Sequence, residues 1–201
     1  MSFFAEVEKL HPTVNVRHFE RRIEAMISWS ESNSDQRSKA EVAKDVFFSG
    51  LANKRANPTP KERSSAPTPT LSFFSAACAA LALGALISRD SNATSGADGE
   101  TGPRNTPAGL FALSDQAFGL FERTNSYDLD SVVALILQIA YLLHDGHMNV
   151  AQTVFPLLGK AVNVARLMGL SVDPDEFPGT YSLFEAETRR RIWWEVYFYD
   201  M

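Results

Sequence analysis

The sequence predicts an all-α protein, either a multi-helix bundle or a short helical array, with two flexible loops. Three observations predict this fold class. Apolar residues recur at helical spacing, cap residues precede the apolar segments, and no two-residue hairpin turn joins alternating runs. Hydrophobic residues make up 45% and charged residues 21% of the 201 residues, which excludes a fully disordered chain.

The N-terminal part of the chain, residues 1–56, is expected to be helical. Residues 16–30 would place four apolar side chains on one face of a helix. These four are Phe19, Ile23, Met26 and Ile27. Residues 36–51 form a second amphipathic candidate, which Gly50 and Asn53 help to end.

A linker over residues 57–70 separates this part from the core, residues 71–201. It contains four prolines, which lack an amide donor and restrict the residue before them. Residues 71–87 are uncharged and predict a buried core helix. They reach the short limit for a membrane span, but basic flanks and an aromatic belt are missing. Residues 88–106 are rich in Gly, Ser, Asn and Asp and predict the second flexible loop.

Two capped helices follow this loop. Thr106 suits the N-cap and Pro107 the first position of a helix that runs to about residue 123. Asp128 or Ser126 caps the next helix. Because residues 129–143 are apolar nearly all round, that helix should be central and buried.

The last two helices are also marked by local signals. Residues 148–168 predict a helix that Gly169 ends and in which Pro156 causes a kink or marks a late start. After a turn-rich acidic loop, Ser182 and Glu185 form a capping box for the final helix.

Two polar clusters are candidate metal sites. His144, Asp145 and His147 could bind zinc, although a polar interhelical turn is the simpler interpretation of this break. Asp173, Asp175 and Glu176 lack the spacing of an EF-hand loop, so a solvated acidic loop is favoured there.

Catalysis has no positive support in the sequence. None of the common nucleophile, phosphate-loop or zinc-protease motifs occurs. The one cysteine, Cys78, lies inside the apolar segment, where a thiol is usually inert. We therefore expect no catalytic residue, no metal ligand and no cofactor in this chain.

The charge of the chain argues against a free-standing nucleic-acid-binding module. The formal net charge is -5, whereas such modules are usually strongly basic. The sharpest basic run is residues 189–191, which suggests phosphate binding. However, Glu185 and Glu187 stand four residues before two of its arginines, and such pairs neutralise the charge locally.

Several motifs together resemble one family. Residues 161–170 (AVNVARLMGL) resemble the A-x-x-x-A-x-x-L-G-L helix end of the fungal-specific transcription factor regulatory domain. Residues 187–194 (ETRRRIWW) resemble its E-x-R-R-R-x-W-W helix, which continues to Asp200. Phe3-Phe4, His11-Pro12 and Phe19 are similar to the opening of that domain.

The resemblance implies an all-helical regulatory domain, the middle homology region of a zinc-cluster transcription factor of the xylanolytic-activator type, in the nucleus. In that family a separate six-cysteine zinc cluster binds DNA, and this sequence has one cysteine. Zinc and DNA are therefore expected only through that missing domain. The resemblance also implies that the regulatory domain is incomplete at its C-terminus.

The matching motif residues are expected to be structural. They are Gly169, Leu170, Glu187, Arg189, Arg190, Arg191, Trp193, Trp194 and Asp200. The expected partners are transcription-machinery or regulator proteins and a second copy of the chain, with no membrane. An exposed apolar patch is expected among the aromatic residues from 193 to 199.

Two other functions stay open at this point. One is an independent helical protein-interaction module that uses the aromatic end or the loop at residues 88–106. The other is a metal-dependent enzyme that uses His144, Asp145 and His147.

Overall fold

A computed structural model describes residues 13–34, 69–92, 106–146 and 150–201. These ranges contain no strand, and the all-α prediction is confirmed. The helices are α1 (Val16–Ser34), α2 (Leu71–Asn92), α3 (Pro107–Thr124), α4 (Leu129–His144), α5 (Val150–Leu167) and α6 (Leu183–Asp200), with a 3₁₀ turn at Pro174–Glu176. The helix predicted at 36–51 and nearly all of the linker at 57–70 lie outside the described residues, so the division of the chain there stays a prediction.

The helices pack as an array around α4. Every residue from Ser131 to Tyr141 is buried, as expected for a helix that is apolar on all sides. Helix α2 packs against α3 and α4, α5 packs against α4, and α6 packs against α5 and α4.

Small side chains let α2 approach its neighbours closely. Its alanines at 76, 77, 79, 80 and 82 are fully buried. Ser75 Oγ donates to the Ser114 carbonyl at 2.9 Å, and Ser114 Oγ donates back to the Ser75 carbonyl at 2.8 Å. Gln138 Nε2 donates to Ser114 Oγ at 2.9 Å, so α2, α3 and α4 share one buried, satisfied polar cluster.

Helix α2 is long and apolar enough to cross a membrane. Of its Leu71–Ser88 window, 67% is buried inside the helical array. This burial favours the core-helix interpretation.

The predicted caps agree with the structure. Thr106 Oγ1 accepts from the Gly109 amide at 3.1 Å. Asp128, rather than Ser126, caps α4, because its carboxylate accepts from the Ser131 amide at 2.8 Å while Ser131 Oγ accepts from the Asp128 amide. Ser182 Oγ accepts from the Glu185 amide at 3.2 Å, which is one half of the predicted capping box, while the Glu185 carboxylate lies 3.4 Å from Arg189 Nε.

The end of α2 differs from the expectation, and the start of α5 decides between the two interpretations of Pro156. Helix α2 continues past Ile87 to Asn92, into the segment predicted as loop, because neither Gly nor Pro interrupts the backbone there. Helix α5 is present from Val150 and contains Pro156 in its interior, so Pro156 does not mark a late start.

Candidate functional site

The end of α5 is a Schellman cap built on Gly169. Its φ is +69°, in the left-handed region that favours glycine. The Leu170 amide donates to the Ala165 carbonyl and the Gly169 amide to the Arg166 carbonyl, each at 3.0 Å. Leu170 is buried and supplies the hydrophobic contact that accompanies such caps.

Arg190 of α6 forms ion pairs with the acidic loop that follows α5. One guanidinium nitrogen, Nη2, lies 2.8 Å from Asp173 Oδ1 and 2.7 Å from Asp175 Oδ1. Hydrogen bonding to Arg190 lowers the pKa of the Asp173 carboxyl. Two of the three carboxylates that are candidate ligands of a hard cation, Asp173 and Asp175, therefore already have a cationic partner.

The neighbouring arginines have the helical partners that the spacing predicts. Arg189 Nε lies 3.4 Å from Glu185 Oε1, and Arg191 Nε lies 2.7 Å from Glu187 Oε1. The Arg189 guanidinium also lies 4.2 Å from the centre of the Tyr181 ring. Arg189, Arg190 and Arg191 thus all form ion pairs with carboxylates of this chain, so little positive charge remains to bind a phosphate group.

The aromatic residues of α6 divide between the core and the surface. Ile192 and Val196 are buried, and Trp193 and Tyr199 pack partly buried against the core. Three rings of the expected patch are exposed: Trp194 (65%), Tyr197 (44%) and Phe198 (71%). At the end of the same helix, Asp200 Oδ2 lies 3.8 Å from Arg166 Nη2 of α5.

The zinc constellation is not assembled by the described residues. His144 Nδ1 lies 2.7 Å from the Ala140 carbonyl oxygen, and Asp145 is the C-cap of α4. His147 lies outside the described residues. Within the described ranges, no group of three His, Cys, Asp or Glu side chains could hold a metal ion.

A cavity of about 330 Å³ lies between α1, α4 and α6. Its buried apolar side chains come one from each helix: Phe19, Val133 and Ile192. The rings of His18 and Phe184, from α1 and from the start of α6, lie 4.9 Å apart at its wall.

A bidentate ion pair joins two walls of the cavity. Arg22 Nη1 lies 2.7 Å from Asp130 Oδ1, and Nη2 lies 2.5 Å from Oδ2. The Arg22 guanidinium also stacks 3.8 Å from the centre of the Phe73 ring. The pair joins residues 108 apart in the chain, so no local pattern in the sequence could have indicated it.

One comparison with known proteins gives a match. The model of the family described as "Fungal specific transcription factor domain" matches residues 42–201. No curated protein and no solved structure matches the chain. The family match begins after α1, so the resemblance at residues 3–19 lies before it. Because the matched segment covers most of the 201 residues, the chain belongs to the fungal-specific transcription factor domain family.

Proposed function

We propose that this chain is the regulatory, non-catalytic part of a fungal zinc-cluster transcription factor and that it acts in the nucleus. The observation that carries the proposal is the family match over residues 42–201. Other regulatory proteins would be its partners, and a separate zinc cluster would bind DNA.

The contacts of the motif residues support a scaffold role for them. Gly169 caps α5, Arg190 holds the loop that follows, and Asp200 lies near Arg166. These contacts run from α5 through the loop to α6. We infer that the family motif stabilises this helix–loop–helix unit and that no motif residue carries out chemistry.

The single cysteine supports the assignment of DNA binding to another part of the transcription factor. Burial raises the pKa of the Cys78 thiol to about 11, which favours the protonated form. Cysteine binds zinc as the thiolate, so Cys78 is a poor ligand, and a six-cysteine cluster needs residues that this sequence does not contain.

A reporter assay tests the proposal. The full chain is fused to an unrelated DNA-binding domain, and transcription is compared with that domain alone. We expect a several-fold change in reporter output. The control is Ile192→Asp, which puts a charge at a buried position of α6 and should abolish the effect by unfolding the domain.

One result of the reporter assay would contradict the proposal. A fusion that is folded, present in the nucleus and bound to the promoter, yet leaves transcription unchanged, would contradict it. Stoichiometric zinc or iron in the purified chain would instead favour the metal-dependent enzyme.

A further inference from the structure

The cavity between α1, α4 and α6 has the construction of a small-molecule site. At about 330 Å³ it falls at the lower end of the range of ligand cavities. Phe19, Val133 and Ile192 are at most 7% exposed and line it from three different helices. An apolar ring or chain would therefore meet buried apolar side chains on three sides.

The charges around the cavity are already compensated. Arg22 is held by both oxygens of Asp130 and by the face of Phe73. The other charged lining residue, Glu185, lies 3.4 Å from Arg189. A charged ligand would lose hydration without gaining a free counter-charge, and this cost disfavours it.

The imidazole of His18 is a polar group at the wall of the cavity that a ligand can reach. No described residue hydrogen-bonds to the His18 imidazole, whose ring contacts Phe184. Burial, followed by the nearby Arg22 charge, lowers the pKa of His18, so the ring is neutral near pH 7. A neutral imidazole has one donor and one acceptor nitrogen.

We propose that this cavity binds a small, uncharged amphipathic molecule, whose apolar part lies against Phe19, Val133 and Ile192 and whose single polar group hydrogen-bonds to His18. The proposal rests on the regulatory function proposed above, since it gives that domain an effector site. One wall of the site is α1, which precedes the matched segment. Binding therefore strengthens the attachment of α1 to the core.

The test measures binding of matched naphthalene probes to the full chain by NMR titration. The probes are uncharged 2-naphthamide, anionic 2-naphthoate and cationic 2-naphthylmethylammonium, with naphthalene as the probe without a polar group. We expect 2-naphthamide to bind at least tenfold more tightly than either charged probe. Equal binding of all probes, or no binding of 2-naphthamide at millimolar concentration, would overturn the proposal.

Two variants locate the binding. His18→Phe keeps an aromatic ring but removes both ring nitrogens, so 2-naphthamide should bind about tenfold more weakly while naphthalene binding stays unchanged. Thr188→Trp fills the cavity from α6 and should abolish binding. Thr180→Trp, at an exposed loop position outside the cavity, is its matched control.

The probe titrations and the reporter assay distinguish a failure of the binding-site proposal from a failure of the regulatory function. If Thr188→Trp is folded and still binds 2-naphthamide like the wild type, the site lies elsewhere and the proposal is wrong. A reporter effect without probe binding retains the regulatory function alone. Probe binding at this cavity without a reporter effect retains the site alone.

Discussion

Gly169 has a left-handed backbone conformation, which residues other than glycine rarely adopt. Its φ of +69° closes the Schellman cap at the end of α5. Apart from atoms of residues 168–170, a Cβ at this position would meet no atom within 4 Å. A side chain at residue 169 would therefore destabilise the fold through backbone strain and not through a steric clash.

Gly169→Ala is expected to destabilise the chain by about 1 kcal/mol, because an L-residue is strained in the left-handed region. Gly159→Ala is the matched control. Gly159 lies inside α5, and a Cβ there also meets nothing within 4 Å, so alanine should stabilise the helix by about 1 kcal/mol. Denaturant unfolding of both variants checks these values. A shift of the same sign in both would contradict the assignment of the cap.

Cys78 is expected to be unreactive in the folded chain. The buried thiol, with a pKa of about 11, forms little of the thiolate that attacks disulfide reagents. A chromogenic disulfide reagent at mildly alkaline pH should therefore label Cys78 only after denaturant is added. Rapid labelling of the native chain would place Cys78 at an accessible position and contradict the structure.

Cap residues were predictable from the sequence because each acts over three or four residues. Thr106, Asp128, Ser182 and Gly169 all make local backbone contacts. The end of α2 was not predictable in the same way, since its helix continues beyond the apolar pattern to Asn92.

At the scale of elements, the α5–loop–α6 unit combines local and distant contacts. The pairs of Arg189 and Arg191 follow from helical spacing, and the sequence predicts them. The contact of Arg190 with Asp173 spans 17 residues and depends on the path of the loop. The cavity could not be predicted from the sequence either, because its walls come from α1, α4 and α6, which meet only in the folded chain.

The contribution of Arg190 to stability is expected to depend on pH. Hydrogen bonding to Arg190 lowers the pKa of Asp173 below the ordinary 3.8. The ionised form is thus favoured in the folded chain. The contribution is complete above pH of about 3.8 and is lost as the pH falls through the lower folded-state pKa.

Unfolding of the wild type and of Arg190→Gln from neutral to acid pH checks this sign. The wild type should be the more stable at neutral pH, and the difference should shrink below the ordinary pKa of aspartate. Arg191→Gln removes a charge from the same helix without touching the loop and serves as the control. A difference that grows toward acid pH would contradict the assigned contact.

At the scale of the whole molecule, the buried core and an exposed aromatic surface occur on the same helix. Ile192 and Val196 of α6 are buried, whereas Trp194 and Phe198 are 65% and 71% exposed. Exposed apolar patches of this kind promote association.

The full chain is expected to self-associate as its concentration rises. Trp194→Ser with Phe198→Ser should reduce this association. Leu113→Ser with Leu120→Ser is the control, because it removes two exposed apolar side chains from α3. Light scattering after size-exclusion chromatography measures the mass. A wild type that stays monomeric at all concentrations would contradict the prediction.

The regulatory function proposed for the chain depends on a helical scaffold that the family motif residues hold together. This dependence can be measured with the reporter fusion in three forms of the Arg190 contact: the wild type, Arg190→Asp, and Arg190→Asp with Asp175→Arg. We predict a several-fold reporter change for the wild type, a weaker one for the single variant and recovery in the charge-swapped variant. An unchanged reporter with the folded wild-type fusion would contradict the regulatory function. Loss in the single variant without recovery in the folded swap would contradict the scaffold role.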